Sequence, residues 1–124
     1  MTESMLNVTL TVSDPESNEE QLQTATVRLR NEIAEIDGVN DVYPTPAAEA
    51  PAYAKSLGGK IINVLTAEIT PQHFLSVLRF LGGRVFNRTI EIKVEGNGKS
   101  LELRVSNAKD LEFAMEQAKR FLEG

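Results

Sequence analysis

Two runs of strict alternation constrain this chain more than anything else in it. Ile90, Ile92 and Val94 alternate with Glu91, Lys93 and Glu95, and Leu101, Leu103 and Val105 alternate with Glu102 and Arg104. A period of two gives each segment one apolar and one polar face, which is the pattern of a half-buried strand. Gly96-Asn97-Gly98 between them supplies residues that tolerate positive φ, so the pair reads as a β-hairpin. Leu6, Val8, Leu10 and Val12 alternate in the same way with Asn7, Thr9 and Thr11. Strands with a single apolar face call for helices packed on one side of one sheet.

The helices carry their own punctuation. Ser17 followed by Glu20 has the spacing of a capping box, and Leu22, Thr26, Leu29, Ile33 and Ile36 form one stripe at helical spacing. Gly38 is placed to end that helix near Asp37. The run Val39–Tyr43 is expected to return as a strand beside the first. Lys60–Ile69 reads as a short apolar helix, with a strand left open by its Ile, Val and Leu content. Thr70-Pro71 then starts a helix whose buried side is Phe74, Leu75, Val77, Leu78 and Leu81, ended by Gly82-Gly83. Asn107 caps a last helix with the stripe Leu111, Ala114, Met115, Ala118 and Leu122. The expected order is β-α-β-α(α)-β-β-α, an α+β two-layer sandwich with helices on one face of a small mixed sheet, ferredoxin-like in flavour. The outer sheet face, with Asn7, Thr9, Thr11, Glu91, Lys93, Glu102 and Arg104, is expected to be polar and wet.

All 124 residues are read as one domain. Residues 44–59 hold Pro44, Pro46, Pro51, several alanines and Gly58-Gly59, which suits a connecting loop; neither flank could bury two layers by itself. The absence of Cys leaves stability to packing and fits a cytoplasmic address. The start MTESMLNVTL has no basic residue followed by an apolar run, so no signal peptide is expected. The most apolar stretch, 61–81, is broken by Glu68, Pro71, His73 and Arg79, unlike a membrane span.

Charge is segregated. Residues 1–54 hold ten acids against two bases, and residues 55–124 hold eight acids against eleven bases. No acid falls between Glu68 and Glu91, where Arg79, Arg84 and Arg88 cluster around the Gly82-Gly83 turn. Arginine forks suit carboxylate or phosphate partners. RNA-reading sheets place stacking aromatics on their strands, and here Tyr43 alone does so, which favours an acidic protein surface over nucleic acid. The bland reading is a solubilising rim at a helix C-terminus.

Residues with chemistry to offer are few. His73 is the single histidine, with no Ser, Cys or carboxylate at a meaningful spacing, so a capping or surface role outweighs catalysis. Gly58-Gly59-Lys60 lacks the spacing of a phosphate loop and reads as a turn. Asn87 with Arg88 is too little to support an acyl- or phosphoryl-transfer enzyme. No cofactor and no metal site is expected. Phe113 is the one apolar residue clearly off the stripe of the last helix, where an exposed aromatic can anchor an interface.

Read in order, the segments LNVTLTV, RLRNEIAEIDGV, YPTPAAEAPAYAKSLGG, INVLTAEITPQHFLSVLRFL and RTIEIKVEGNGKSLELRVSNAKDLEFAMEQAKRFL span nearly the whole chain. In that order and spacing the chain resembles the effector-associated constant component family of bacterial conflict and immunity systems. The resemblance implies a non-enzymatic component that works with variable effectors, often peptidases, or with signalling adaptors, and it carries over no catalytic residue. The expected function is therefore protein–protein interaction through Arg79, Arg84, Arg88 and Phe113, with no nucleic-acid or membrane partner. The competing expectation is a ferredoxin-like regulatory domain that binds a small ligand as a homodimer.

Overall fold

Leu6, Val8, Leu10 and Val12 are all buried, and β1 (Leu6–Ser13), the strand that carries them, takes the centre of the sheet. The computed structural model describes residues 5–14, 16, 18–45, 56–57, 60–61, 64–83, 89–96 and 98–123. After β1 come α1 (Glu19–Ala34), β2 (Val39–Pro44), and a small ladder of β3 (Ser56–Leu57) with β4 (Lys60–Ile61). These are followed by β5 (Val64–Ile69) and a 3-10 turn, Pro71–His73, that runs into α2 (Phe74–Gly82). The chain continues as β6 (Thr89–Gly96), β7 (Lys99–Val105) and α3 (Ala108–Glu123).

Five strands make one sheet in the order β2-β5-β1-β6-β7. One core holds the inward residues of all five strands together with Leu22, Leu29 and Ile33 of α1, Phe74, Val77, Leu78 and Leu81 of α2, and Ala114 and Ala118 of α3. The helices thus cover a single face, and the two-layer α+β sandwich forms as the alternation requires. Burying Phe74 contributes about 2 kcal/mol to this core.

The sheet is antiparallel at every pairing, where a mixed sheet was expected. The reason is topological. The crossover β1-α1-β2 skips one position, which β5 fills, and the crossover β5-α2-β6 skips one position, which β1 fills. Parallel strands are therefore always separated by an antiparallel one. This is the split βαβ arrangement of a ferredoxin-like unit, extended by β7 and α3. It also corrects the expected neighbour of 39–43, which pairs with β5 and not with β1.

Residues 64–69 form a strand, in place of the apolar helix expected over 60–69. Leu65, Ala67 and Ile69 face the helices opposite Leu10, Val8 and Leu6, while Val64 and Thr66 point to the other face and are also buried. A strand buried on both faces loses its alternation, so periodicity cannot separate it from a buried helix.

The outer face is polar and wet only in part. Thr11 is 2% exposed, Val64 0% and Thr66 8%. Thr45 and Thr66 satisfy each other through an Oγ1–Oγ1 hydrogen bond of 2.7 Å, as buried hydroxyls must. The solvated part comprises Asn7 near the start of β1 and the strip carried by β6 and β7, with Lys93, Glu102 and Arg104 exposed.

At the start of α1, Asn18 is the cap. Its Oδ1 accepts from Gln21 N at 2.8 Å, and Gln21 Oε1 accepts from Asn18 N at 3.0 Å. This capping box is one residue beyond the expected Ser17–Glu20 pair, and Ser17 lies outside the described residues. The helix ends at Ala34 rather than near Asp37, and Gly38, at φ 88°, turns the chain into β2. Most of the expected 44–59 loop also lies outside the described residues, but Ser56–Leu57 pairs with Lys60–Ile61.

Candidate interaction surface

His73 is held as a clamp between two connections. Its Nδ1 shares a 2.8 Å hydrogen bond with Thr70 Oγ1, and Thr70 N donates to the Gly38 carbonyl at 2.9 Å. The imidazole covers Gly38 so closely that a Cβ there would lie 2.2 Å from His73 Cγ. The side chain ties the entry of β2 to the entry of α2, which gives the lone histidine a structural occupation. Among the described residues no group of three or more His, Asp or Glu is placed to hold a metal ion. No helix among them is long and apolar enough to cross a membrane.

α3 is fixed at its start and along one side. Asn107 Oδ1 accepts from Asp110 N at 2.9 Å, and Asp110 Oδ2 accepts from Ser106 N at 3.0 Å, so two donors at the helix start are satisfied together. The carboxylate of Asp110 also sits where the helix dipole favours it. Ala114 and Ala118 are fully buried against the core. Leu111 meets α2 at Gly82, where a Cβ would lie 2.3 Å from Leu111 Cδ2, so the two helices approach through a residue without a side chain. On the strand side, Lys99 Nζ of β7 lies 5.9 Å from the centroid of the Phe121 ring, within cation–π reach. The Arg120–Glu116 pair, at 3.3 Å, is exposed at both ends and adds little.

Phe113 is 64% exposed, the most exposed large apolar side chain among the described residues; Val27 on α1, at 51%, is next. Two residues along a helix turn the side chain by about 200°, so Phe113 points away from the flank where Leu111 meets α2. Arg79 is exposed in the last turn of α2, where a cation complements the helix dipole. Arg84 and Arg88, with Asn87, lie outside the described residues.

Two clefts are open to solvent, the first mainly polar and the second lined about equally by polar and apolar surface. One, about 590 Å³, lies at the hairpin tip beside Asn7, Glu95, Lys99 and Ser100; the other, about 300 Å³, runs over Glu91, Lys93, Glu102 and Arg104. Small-molecule sites are usually enclosed and mainly apolar. The sequence pattern had marked Phe113, since it falls off the stripe. It had not marked β7 as a sheet edge, because edge position follows from the topology. Val27 falls off the stripe of α1 in the same way and was readable by the same rule.

The fold and surface define a ferredoxin-like α+β domain with an extra hairpin strand and a third helix that presents an aromatic to solvent. The chain matches no family model, no curated protein and no solved structure.

Proposed function

We propose that this protein is a non-enzymatic, cytoplasmic protein-interaction component of a bacterial conflict system, one that assembles or restrains an effector. The observation that carries the reading is Phe113, 64% exposed on a helix that is capped and packed beneath it. An aromatic side chain has only two rotatable bonds to fix on binding and is a common anchor of an interface. Covering its exposed part removes roughly 130 Å² of apolar surface from water, a gross gain of about 3 kcal/mol. The resemblance to effector-associated constant components supplies the setting: the partner class is a peptidase-type effector or a signalling adaptor. Arg79, with Arg84 and Arg88 further along the chain, is assigned to an acidic surface of that partner.

The ferredoxin-like strand order also suits a ligand-binding regulatory domain; the exposure of Phe113 favours the interaction reading. The test is recovery of partners from the host with the tagged full chain and with Phe113→Asp. The expected result is an effector or adaptor that co-purifies with the wild type and is lost from the variant, at an unchanged melting temperature. Recovery of the same proteins with both chains would refute the role of Phe113.

A further inference from the structure

We infer that the edge of β7, which pairs only with β6 among the described residues, joins a second copy of this chain about a two-fold axis at Leu103, continuing the sheet across both molecules, with the Phe113 flanks of the two α3 helices meeting above the joined edges. The inference deepens the interaction reading by naming one partner, and it rests on that reading for the role of Phe113.

The two edges of the sheet are not alike. β2 ends in Pro44, which has no N–H to offer, and its register with β5 slips between Val39 and Asp41. Both features blunt an edge. β7 has neither, and its register with β6 runs unbroken from Ile90↔Val105 to Gly96↔Lys99. In a hairpin closed by Gly96 and Lys99, that pair and every second pair beyond it exchange hydrogen bonds. The N–H and C=O groups of Glu102 and Arg104 therefore point to the open edge.

Antiparallel pairing about Leu103 sets Glu102 opposite Arg104 of the second copy, and Arg104 opposite its Glu102. These are the residues whose main-chain groups face outward, so the hydrogen-bonding phase and the side-chain charges agree. Within each chain Lys93 already stands opposite Glu102, and Glu91 opposite Arg104. Across the joined edge the outer face would read Lys93, Glu102, then Arg104 and Glu91 of the second copy, alternating in sign, and the two-fold repeats the row. Moving the axis to Glu102 would set that carboxylate against itself. Moving it to Leu101 would set Glu102 against Ser100. Opposite charges directly across strands stabilise a pairing, and like charges oppose it.

The helical side fits the same partner. α3 packs on β7, and Lys99 reaches Phe121 from that strand. Leu111 is turned to α2, and Phe113, about 200° further round the helix, projects to solvent on the side away from α2. The two-fold brings two such flanks face to face, covering both phenyl rings and the half-buried Leu101 beneath them.

Sedimentation velocity on the purified full chain tests this. The expected species at about 100 µM is a dimer of twice the 13.7 kDa chain mass. Glu102→Arg alone and Arg104→Glu alone each place like charges across the axis, and each should weaken dimerisation by about 100-fold or more. An equimolar mixture of the two variants restores both opposite-charge contacts and should recover a dimer. Glu102 and Arg104 are exposed, so a wild-type far-UV circular-dichroism spectrum and a cooperative melt report intact folding, even where Tm falls with the lost dimer. A wild-type monomer at that concentration, dimeric single variants, or a mixture that stays monomeric would each overturn the pairing. A monomer that still recovers its effector through Phe113 would refute self-pairing and leave the interaction reading in place. A dimer whose host partners ignore Phe113 would do the reverse.

Discussion

Gly38→Ala tests the clamp that joins the two halves of the helical layer. Gly38 has φ 88°, a conformation that costs an L-residue about 1–2 kcal/mol. The new Cβ would also lie 2.2, 2.3 and 2.4 Å from three atoms of His73, its Cβ among them, so the ring cannot simply swing aside. Forcing one extra carbon into such a contact costs about 1–3 kcal/mol. The sum, about 3 kcal/mol, should lower Tm by roughly 10 °C in a domain of this size. His73→Ala alone loses the Thr70 hydrogen bond, about 1 kcal/mol. In that background the clashes with Cγ and Nδ1 disappear while the one with the Cβ of residue 73 remains, so only part of the steric penalty is relieved. Urea denaturation of the four chains in a double-mutant cycle should therefore give a coupling of about 1 kcal/mol. Strict additivity would refute the packing of His73 over Gly38.

Thr66→Val should cost about 1–2 kcal/mol, because it strands the buried Thr45 hydroxyl, while Thr45→Val with Thr66→Val together should be nearly neutral. Urea midpoints of the three variants separate these cases. Asn107→Ala removes the acceptor for Asp110 N at the start of α3 and should cost about 1 kcal/mol, read as a fall in Tm. Phe113→Asp should leave the urea midpoint within about 0.5 kcal/mol of wild type, since the side chain is mostly in water, while abolishing partner recovery.

The parts of the fold that were legible are those where one face is buried and the other wet. β1, β6 and β7 alternate, and Gly96 and Gly98 mark their turn, so those strands and the hairpin followed from pattern alone. Asn107 capped α3 as its chemistry required. β5 was not legible, because Val64 and Thr66 are buried on the side away from the helices and erase the alternation. The placement of β2 beside β5 depends on a non-local pairing that no local pattern encodes. Asn18–Gln21 and Ser17–Glu20 carry the same capping signature one residue apart, so the start of α1 was ambiguous by that much. Of the residues proposed for the interface, Phe113 could be read from helical spacing. The open edge of β7 could not, although the signs of Glu102 and Arg104 that suit it were visible throughout.

The most direct test of the account is photo-cross-linking in the host, with a photoreactive phenylalanine analogue in place of Phe113 and, as control, in place of Val27. Both positions are exposed, but only the first lies on the proposed contact surface. The account predicts protein adducts from position 113, one of them at twice the 13.7 kDa chain mass, and few from position 27. Equal and sparse adducts from both positions would contradict it.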